Sequence, residues 1–352
     1  MSAMTNIGVV VIGRNEGERL RRCLQSITAD VDRVVYVDSG STDGSVEHAR
    51  EVGVEVVELD MSLPFTAARA RNTGYERLMK TVPGTQFVQF ADGDVQLAAD
   101  WLNGARRELA RRSDLGAVCG RLHELNPQHS VYNRLCDIEW NTPTGEAETC
   151  GGVFMIRASA FGDLDGFKPS LIAGEEPELC VRLRQEGWRI WRLDTDMGWH
   201  DAAMMRFSQW WQRTVRSGHA YTEGAWLHGW AAGQWCLWRP VTSAVGWMTW
   251  FPVSVGGAVL VNGWIGLMLL VYPIQALRIA RRERGRAGSP RAAVVYGMFT
   301  MLGKFAQCIG AVRFALTRCS GRRSRIIEYK DGDHSDGGLN ANPRTVRSER
   351  AP

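Results

Sequence analysis

The sequence predicts an α/β fold: a parallel sheet covered on both faces by helices, followed by an apolar hairpin and a basic amphipathic helix. Three observations predict it. Short β-branched runs alternate with amphipathic stretches through the first third of the chain, at the spacing of successive βα units. One such run, Phe87-Val88-Gln89-Phe90-Ala91, stops abruptly at Asp92-Gly93-Asp94. A buried strand ending there puts both carboxylates at its carboxyl end, where open α/β sheets place ligands. Finally, no charged residue occurs from Pro240 to Leu277, a run longer than the roughly 20 residues that one membrane-crossing helix needs.

In order, Ile7–Ile12 reads as the first strand, followed by Gly13-Arg14-Asn15-Glu16 and an amphipathic helix from Arg19 to Ile27. Val34–Val37 reads as the second strand, ending at Asp38. The loop Ser39-Gly40-Ser41-Thr42-Asp43-Gly44-Ser45 consists of turn and capping residues and leads into a helix to Val52. Val54–Leu59 is the third predicted strand, Thr66–Lys80 a helix, Gln86–Ala91 the fourth strand and Ala98–Arg112 another helix. Trp188–Leu193 is a later strand, with Gly198-Trp199-His200-Asp201 after it.

Asp38 and Asp94 therefore stand at strand ends on one edge of the predicted sheet. Hard oxygen donors separated by one small residue suit Mg²⁺ or Mn²⁺ carrying a diphosphate. The Ser, Thr, Asp and Gly of the 39–45 loop, at a helix N-terminus, offer hydrogen bonds to a base, ribose or phosphate. Asp43 serves equally well as a helix cap. Gly151-Gly152 precedes a further apolar run, as a bulge or a close backbone approach does. In Gly174-Glu175-Glu176-Pro177-Glu178, Pro177 fits the first turn of a helix, and the helix dipole favours acids at that end.

A formal charge of +4 over 352 residues is too small to imply a nucleic-acid partner. Its distribution says more, because from Arg278 to Lys330 the basic residues face only Glu283 and Glu328. Eight cysteines without a CxxC pair read as reduced thiols of a cytosolic domain. Met1–Asn6 lacks a basic region leading into an apolar core, so no cleavable signal peptide is expected. Asn262-Gly263 divides the uncharged run into Val241–Val261 and Trp264–Leu277. The second segment, at about 21 Å, falls short of the ~30 Å hydrocarbon core unless it borrows Arg278–Ala280 by snorkelling or the run is re-entrant. Trp226, Trp230, Trp235 and Trp238 suit an aromatic belt before it. Beyond it, Val295, Met298, Met301, Leu302, Phe305, Ile309, Val312 and Leu316 recur at helical spacing, suiting an in-plane helix on anionic lipid or packing on the preceding domain. The expected division is a catalytic domain at 1–225, a membrane-associated hairpin at 226–280 (about 241–261 and 264–280), an interfacial helix region at 281–329 and a solvated tail at 330–352.

Val-Val-Val-Ile-Gly-Arg-Asn-Glu (9–16), Val-Asp-Ser-Gly-Ser-Thr-Asp-Gly-Ser (37–45), Ala-Arg-Ala-Arg-Asn-Thr-Gly (68–74) and Ala-Asp-Gly-Asp (91–94) together resemble family 2 glycosyltransferases of the Rossmann-like GT-A fold. Order and spacing match as well as the words, over roughly residues 5–220. The resemblance implies a nucleotide-sugar donor, UDP-type favoured. Glu16 and Asp38 match positions that contact base and ribose, and Arg71 a basic position near base or diphosphate. Asp92 matches the acid approaching the donor ribose or sugar, and Asp94 the one that binds Mg²⁺ or Mn²⁺. Arg14, Asn15, Ser39, Gly40, Asp43, Gly93 and Gly152 complete the implied donor set. Asp92 and His200 join Asp94 as implied metal ligands. The Glu175-Glu176 pair resembles the family's Glu-Asp pair, whose second acid is the catalytic base. Glu stands where Asp is usual and proline follows, so Glu176 is the base by position and Glu175 the alternative.

The Arg206–Gly224 stretch lacks the Gln-x-x-Arg-Trp pattern of processive relatives, which favours single-sugar addition. His219 and Tyr221 are candidates for an acceptor groove. The expectation is a metal-dependent, inverting glycosyltransferase at the cytoplasmic face of a bacterial inner membrane. Its acceptor would be lipid-linked or a saccharide, in polysaccharide or glycolipid synthesis. Two other readings remain: a sugar nucleotidyltransferase, for which Gly13-Arg14-Asn15-Glu16-Gly17 lacks the activating loop's chemistry, and a non-catalytic membrane scaffold of the same fold.

Overall fold

The structure, a computed structural model, describes residues 6–27, 31–229 and 235–321. Trp230, the side chain of Trp235 and the expected tail beyond Lys330 lie outside the described residues. The first half runs β1 (Ile7–Gly13), α1 (Glu18–Ser26), β2 (Arg33–Asp38), α2 (Ser45–Glu51), β3 (Glu55–Glu58), α3 (Ala67–Thr81), β4 (Phe87–Asp92), β5 (Val95–Leu97) and α4 (Trp101–Arg111). Then come β6 (Leu115–Glu124), α5 (Val131–Trp140), β7 (Gly145–Glu146), β8 (Phe154–Arg157), α6 (Ala158–Asp163), α7 (Glu175–Gln185) and β9 (Arg189–His200).

The sheet has the order β3-β2-β1-β4-β8-β6-β9-β5, with β7 paired to β9. The four strands read from the first third of the chain are parallel, as expected, and the strands that follow make the whole sheet mixed. The block β3-β2-β1-β4 is parallel, β8 runs antiparallel to both β4 and β6, and β6 is parallel to β9. Strands β2, β4, β6 and β9 therefore end on one edge. Register fixes that edge closely: Gly13 pairs with Asp38, Ile12 with Asp92, and Glu124 with His200. The later strand is twice the expected length and carries His200 itself, because Val95–Leu97 pairs with its last residues as β5.

The β-branched residues of β1 and β2 form the sheet's buried centre together with Phe90, Phe154 and Phe161. Helix α3 lies hard against β1. A Cβ on Gly74 would come within 2.4 Å of Val10, so only glycine admits the helix at that depth. Thr66 caps α3 by accepting the Arg69 amide at 3.1 Å. This seating brings Arg71 to the carboxyl edge.

After the domain come α8 (Phe207–His228), α9 (Trp235–Leu260), a 3₁₀ helix at Gly263–Leu270, α10 (Val271–Arg282), α11 (Arg284–Ala287) and α12 (Pro290–Cys319). Asn262 breaks the apolar run as expected, its side chain accepting the Trp264 amide at 3.0 Å. The second leg is longer than the sequence suggests. It starts as a 3₁₀ helix, whose rise is about 2.0 Å per residue, and continues as α-helix through Arg282. Pro273, in the first turn of α10, lacks the amide that would bond the Leu269 carbonyl, and it stands where the 3₁₀ geometry gives way to α-helix. Three helices, Cys236–Leu260, Gly263–Arg282 and Pro290–Cys319, are long and apolar enough to cross a membrane.

Helix α12 leaves much of its apolar stripe exposed, as a lipid-facing helix would, and packs a side rich in small residues inward. Met298, Leu302, Val312 and Leu316 are exposed, whereas Ala293, Gly297, Gly303, Ala306, Gly310 and Ala311 are on its buried side. A Cβ on Gly310 would stand 2.0 Å from the Val215 carbonyl oxygen of α8, and one on Gly218 2.0 Å from that of Gln307. Small residues thus lock α12 onto α8. The same contact encloses His219, which faces Phe314 of α12 rather than a groove. Tyr221 packs beside the cluster of Val181, Ala225 and Leu237.

Candidate active site

Asp38 ends β2 and is buried, held by three donors. The Tyr36 hydroxyl donates to Oδ1 at 2.9 Å, and the Gly40 and Ser41 amides donate to Oδ2 at 2.9 and 2.8 Å. Those bonds shape the 39–45 loop. Asn15, in the left-handed region at φ 54°, ties the first loop to it: its amide donates to Ser41 Oγ at 2.9 Å and its Oδ1 accepts the Thr42 amide at 2.8 Å. Glu16 pairs with Arg19 at 2.8 Å, and Arg14 is exposed. A Cβ on Gly93 would come within 3.1 Å of Glu16, so the acid of the first loop abuts the Asp92-Gly93-Asp94 turn. Asp43 accepts the Ser45 amide at 3.1 Å, a turn contact two residues on, while Gly44 is the N-cap residue of α2. Ser39, also buried, begins the loop with its amide bonded to the Gly13 carbonyl.

Arg71 is the joint of the site. Its buried guanidinium donates through Nη2 to Asp92 Oδ1 at 2.6 Å and through Nη1 to Glu175 Oε1, with the Gly152 carbonyl 3.4 Å from Nη2. Burial works against the guanidinium's charge, but Asp92 and Glu175 outweigh it and hold Arg71 above its ordinary value. One side chain from α3 thereby links the acid ending β4 to the acid opening α7. Gly151, at φ 87°, and Gly152 let the backbone pass close. A Cβ on Gly152 would lie 3.3 Å from Asp92 Oδ2.

Asp94 lies beyond β4 and faces β9. His200 Nε2 is 3.3 Å from Asp94 Oδ2, the Asp201 amide donates to the Asp94 carbonyl at 3.1 Å, and Trp140 meets the His200 ring edge-on at 4.7 Å. His200 Nδ1 is buried without a hydrogen-bond partner. A carboxylate oxygen beside an imidazole nitrogen is a donor pair that accepts Mn²⁺ and, through the oxygen, Mg²⁺. These two residues therefore fit a divalent ion. Asp92 does not close a three-residue ligand cluster with them among the described residues, and its Oδ1 is paired with Arg71.

Glu176 sits one residue further into α7 and points the other way. Its Oε1 accepts the Cys150 amide at 2.5 Å and the Cys180 thiol at 2.9 Å. Burial, against those two donors, pushes its carboxyl up to about 7. The helix is anchored by an acid that sequence reasoning treated only as part of the first turn. Glu178 is fully buried and meets Lys168 at 3.2 Å, Arg182 at 2.7 Å and His228 at 2.9 Å. Burial is outweighed there by His228, Arg182 and Lys168, which bring Glu178 down to about 2. Glu124 was also missed. It accepts the Asn126 and Ala202 amides, each at 3.0 Å, and so fixes the turn after His200. No local pattern marks it, since its partners are 2 and 78 residues away.

Comparison with known proteins agrees with this geometry. The chain is 37% identical over 142 residues to a TPR repeat-containing protein of Synechococcus elongatus, covering 40% of this chain and 33% of that one. It is 23% identical over 216 residues to glycosyltransferase AglE of Haloferax volcanii, covering 57% of this chain and 68% of the relative. The chain thus spans only a third of the first relative's length. Among solved structures, the mannosyltransferase PcManGT from Pyrobaculum calidifontis, in complex with GDP-Man and Mn²⁺, superposes with a TM-score of 0.56 at 17% identity, covering 89% of this chain and 88% of that one. At that identity the likeness establishes the fold. The model of glycosyl transferase family 2 matches residues 8–209, more than half of the 352, and takes in β1, both acidic strand ends and the Glu175-Glu176 helix. This chain belongs to glycosyl transferase family 2.

Proposed function

We propose that the protein transfers a single sugar from a nucleoside-diphosphate sugar to an acceptor hydroxyl, with inversion, at a membrane surface. The observation that carries this reading is the Arg71 bridge. It couples the Asp92-Gly93-Asp94 turn to the helix bearing Glu175 and Glu176, with Arg71 itself 21 residues from Asp92 and 104 from Glu175 in sequence. Asp38, Glu16 and the amides of the 39–45 loop line the nucleoside end of the edge, and Asp92 faces the donor sugar. Asp94 and His200 would hold Mg²⁺ or Mn²⁺, which supplies neutralisation of the departing diphosphate. Glu176 takes the proton of the acceptor hydroxyl as that oxygen attacks the anomeric carbon, and a carboxyl near neutrality suits this role. Glu175, paired with Arg71, holds the base helix in place.

The three apolar helices support membrane association, and the arginines from Arg278 to Arg291 favour the cytoplasmic side for that end, where nucleotide sugars are found. A lipid-linked acceptor at a bacterial inner membrane follows as the matching substrate class. The test is binding of UDP- and GDP-sugars to detergent-purified protein with and without Mn²⁺, in wild type and Asp94→Ala. Metal-dependent binding, lost in the variant, is expected. Absence of binding to every donor would leave the non-catalytic scaffold in its place.

A further inference from the structure

A second group of metal-capable side chains lies behind the base. Cys150, Glu176 and Cys180 place one ligand atom each within 4.8 Å of one another, all three buried. The arrangement is built rather than incidental to one element. Glu176 and Cys180 stand one turn apart on the same face of α7. Cys150 arrives from the loop before β8, where Gly151 at φ 87° turns the chain so that the Cys150 amide also reaches Glu176. Cys119 of β6 is a further thiol close enough to influence Cys150.

We propose that Cys150, Cys180 and Glu176 form a binding site for a thiophilic divalent cation of the Zn²⁺ class, distinct from the hard-ion pair Asp94 and His200. Zinc bonds of about 2.3 Å to sulfur and 2.0 Å to oxygen put tetrahedral ligand atoms about 3.5–3.8 Å apart. The observed group brackets that spacing, with Cys180 Sγ and Glu176 Oε1 at 2.9 Å and every pair within 4.8 Å. Thiolates select Zn²⁺ over Mg²⁺ and Mn²⁺, whereas a carboxylate with one imidazole does not. On binding, each thiol releases its proton to solvent, and two metal–sulfur bonds and one metal–oxygen bond form. Resting on the assignment of Glu176 as the base, occupancy removes the carboxylate from proton transfer and makes the cation an inhibitor.

Chelator-treated full-length protein, saturated with Mn²⁺, would be titrated with Cd²⁺, whose bonds to thiolate give an ultraviolet charge-transfer band. One equivalent is expected to develop the band, and Zn²⁺ to abolish it. Asp94→Ala should retain it, and the double variant Cys150→Ser, Cys180→Ser should lose it. No band, or a band that survives in the double variant, would overturn the site. Should that variant fail to fold, mass-spectrometric mapping of alkylation in the wild type answers the same question. Zn²⁺ must protect Cys150 and Cys180 where Mn²⁺ does not, and equal labelling would overturn the site. Zn²⁺ should also lower transfer at least tenfold without weakening donor binding. A protein that binds Zn²⁺ at these thiols yet turns over undiminished would keep the site and remove Glu176 as the base.

Discussion

Glu176 titrates near neutrality because burial disfavours its charge more than the Cys180 thiol and the Cys150 amide favour it. The carboxyl, ordinarily at 4.5, moves to about 7 in the fold. The folded chain therefore holds this proton more tightly than the unfolded chain. The stability linked to it is complete below the unfolded value and is lost as the pH rises through about 7. Catalysis runs the opposite way, since only the ionised form accepts a proton. Transfer is expected to rise with pH through about 7, measured as kcat/KM against pH. Glu176→Gln keeps the acceptor oxygen for Cys150 and Cys180 but abolishes the titration. It should cut turnover about 10²–10⁴-fold, leave donor affinity intact and unfold no earlier than wild type at pH 8. Glu175→Gln should instead weaken the ion pair with buried Arg71 and lower thermal stability. An active Glu176→Gln beside a folded, inactive Glu175→Gln would move the base by one residue.

The elements differ in how far they could be read from sequence, and the difference has a physical cause. Strands β1, β2 and β4 were legible because their β-branched and aromatic runs are buried on both faces. So were Asp38 and the Asp92-Gly93-Asp94 turn, whose roles depend on chain neighbours. The antiparallel insertion of β8 was not, because pairing direction leaves no trace in the composition of a short buried strand. Nor was the cysteine group around Glu176, where Cys119, Cys150 and Cys180 come from three distant segments. Helix α12 was legible as a helix, and the exposure of Met298, Leu302, Val312 and Leu316 agrees with a lipid-facing stripe, but the stripe says nothing of the side that packs inward. Its packed side is made of glycine and alanine, which carry little hydrophobic signal but permit close helix approach. That contact is testable. In Gly310→Ala the added Cβ meets the backbone oxygen of Val215 rather than a movable side chain. A loss of about 1–3 kcal/mol is expected, read as a lower melting temperature and earlier proteolysis between α8 and α12. Leu316→Ala, on the exposed side of the same helix, should leave both unchanged.

At the scale of the whole molecule, the α8–α12 contact fastens a sheet domain to helices whose outer surfaces are apolar. Val259, Leu260, Val261 and Trp264, at the turn between α9 and the 3₁₀ helix, are each at least 77% exposed. Water is an unfavourable environment for such a turn, since burying a large apolar side chain is worth about 1.5–3 kcal/mol. Lipid or its interface is the environment that matches it. The two legs are long enough for a full crossing. Helix α9, with 26 residues, measures about 39 Å at 1.5 Å per residue. The 3₁₀ segment and α10 together measure about 34 Å. Both exceed the ~30 Å hydrocarbon core, so the hairpin is long enough to cross and return, with Trp264 at the far interface and Arg278, Arg281 and Arg282 back at the near one. A cysteine introduced as Asn262→Cys should then react with a membrane-impermeant maleimide only from the side opposite the catalytic domain, whereas Ser289→Cys should react only from the domain's side. Mass-spectrometric mapping in sealed vesicles of each orientation separates the new thiols from the native ones. If Asn262→Cys labels only after detergent is added, the turn ends inside the bilayer and the hairpin is re-entrant. If it labels from the domain's side, the helices lie along the surface and the anchoring rests on α12 and its basic neighbours alone.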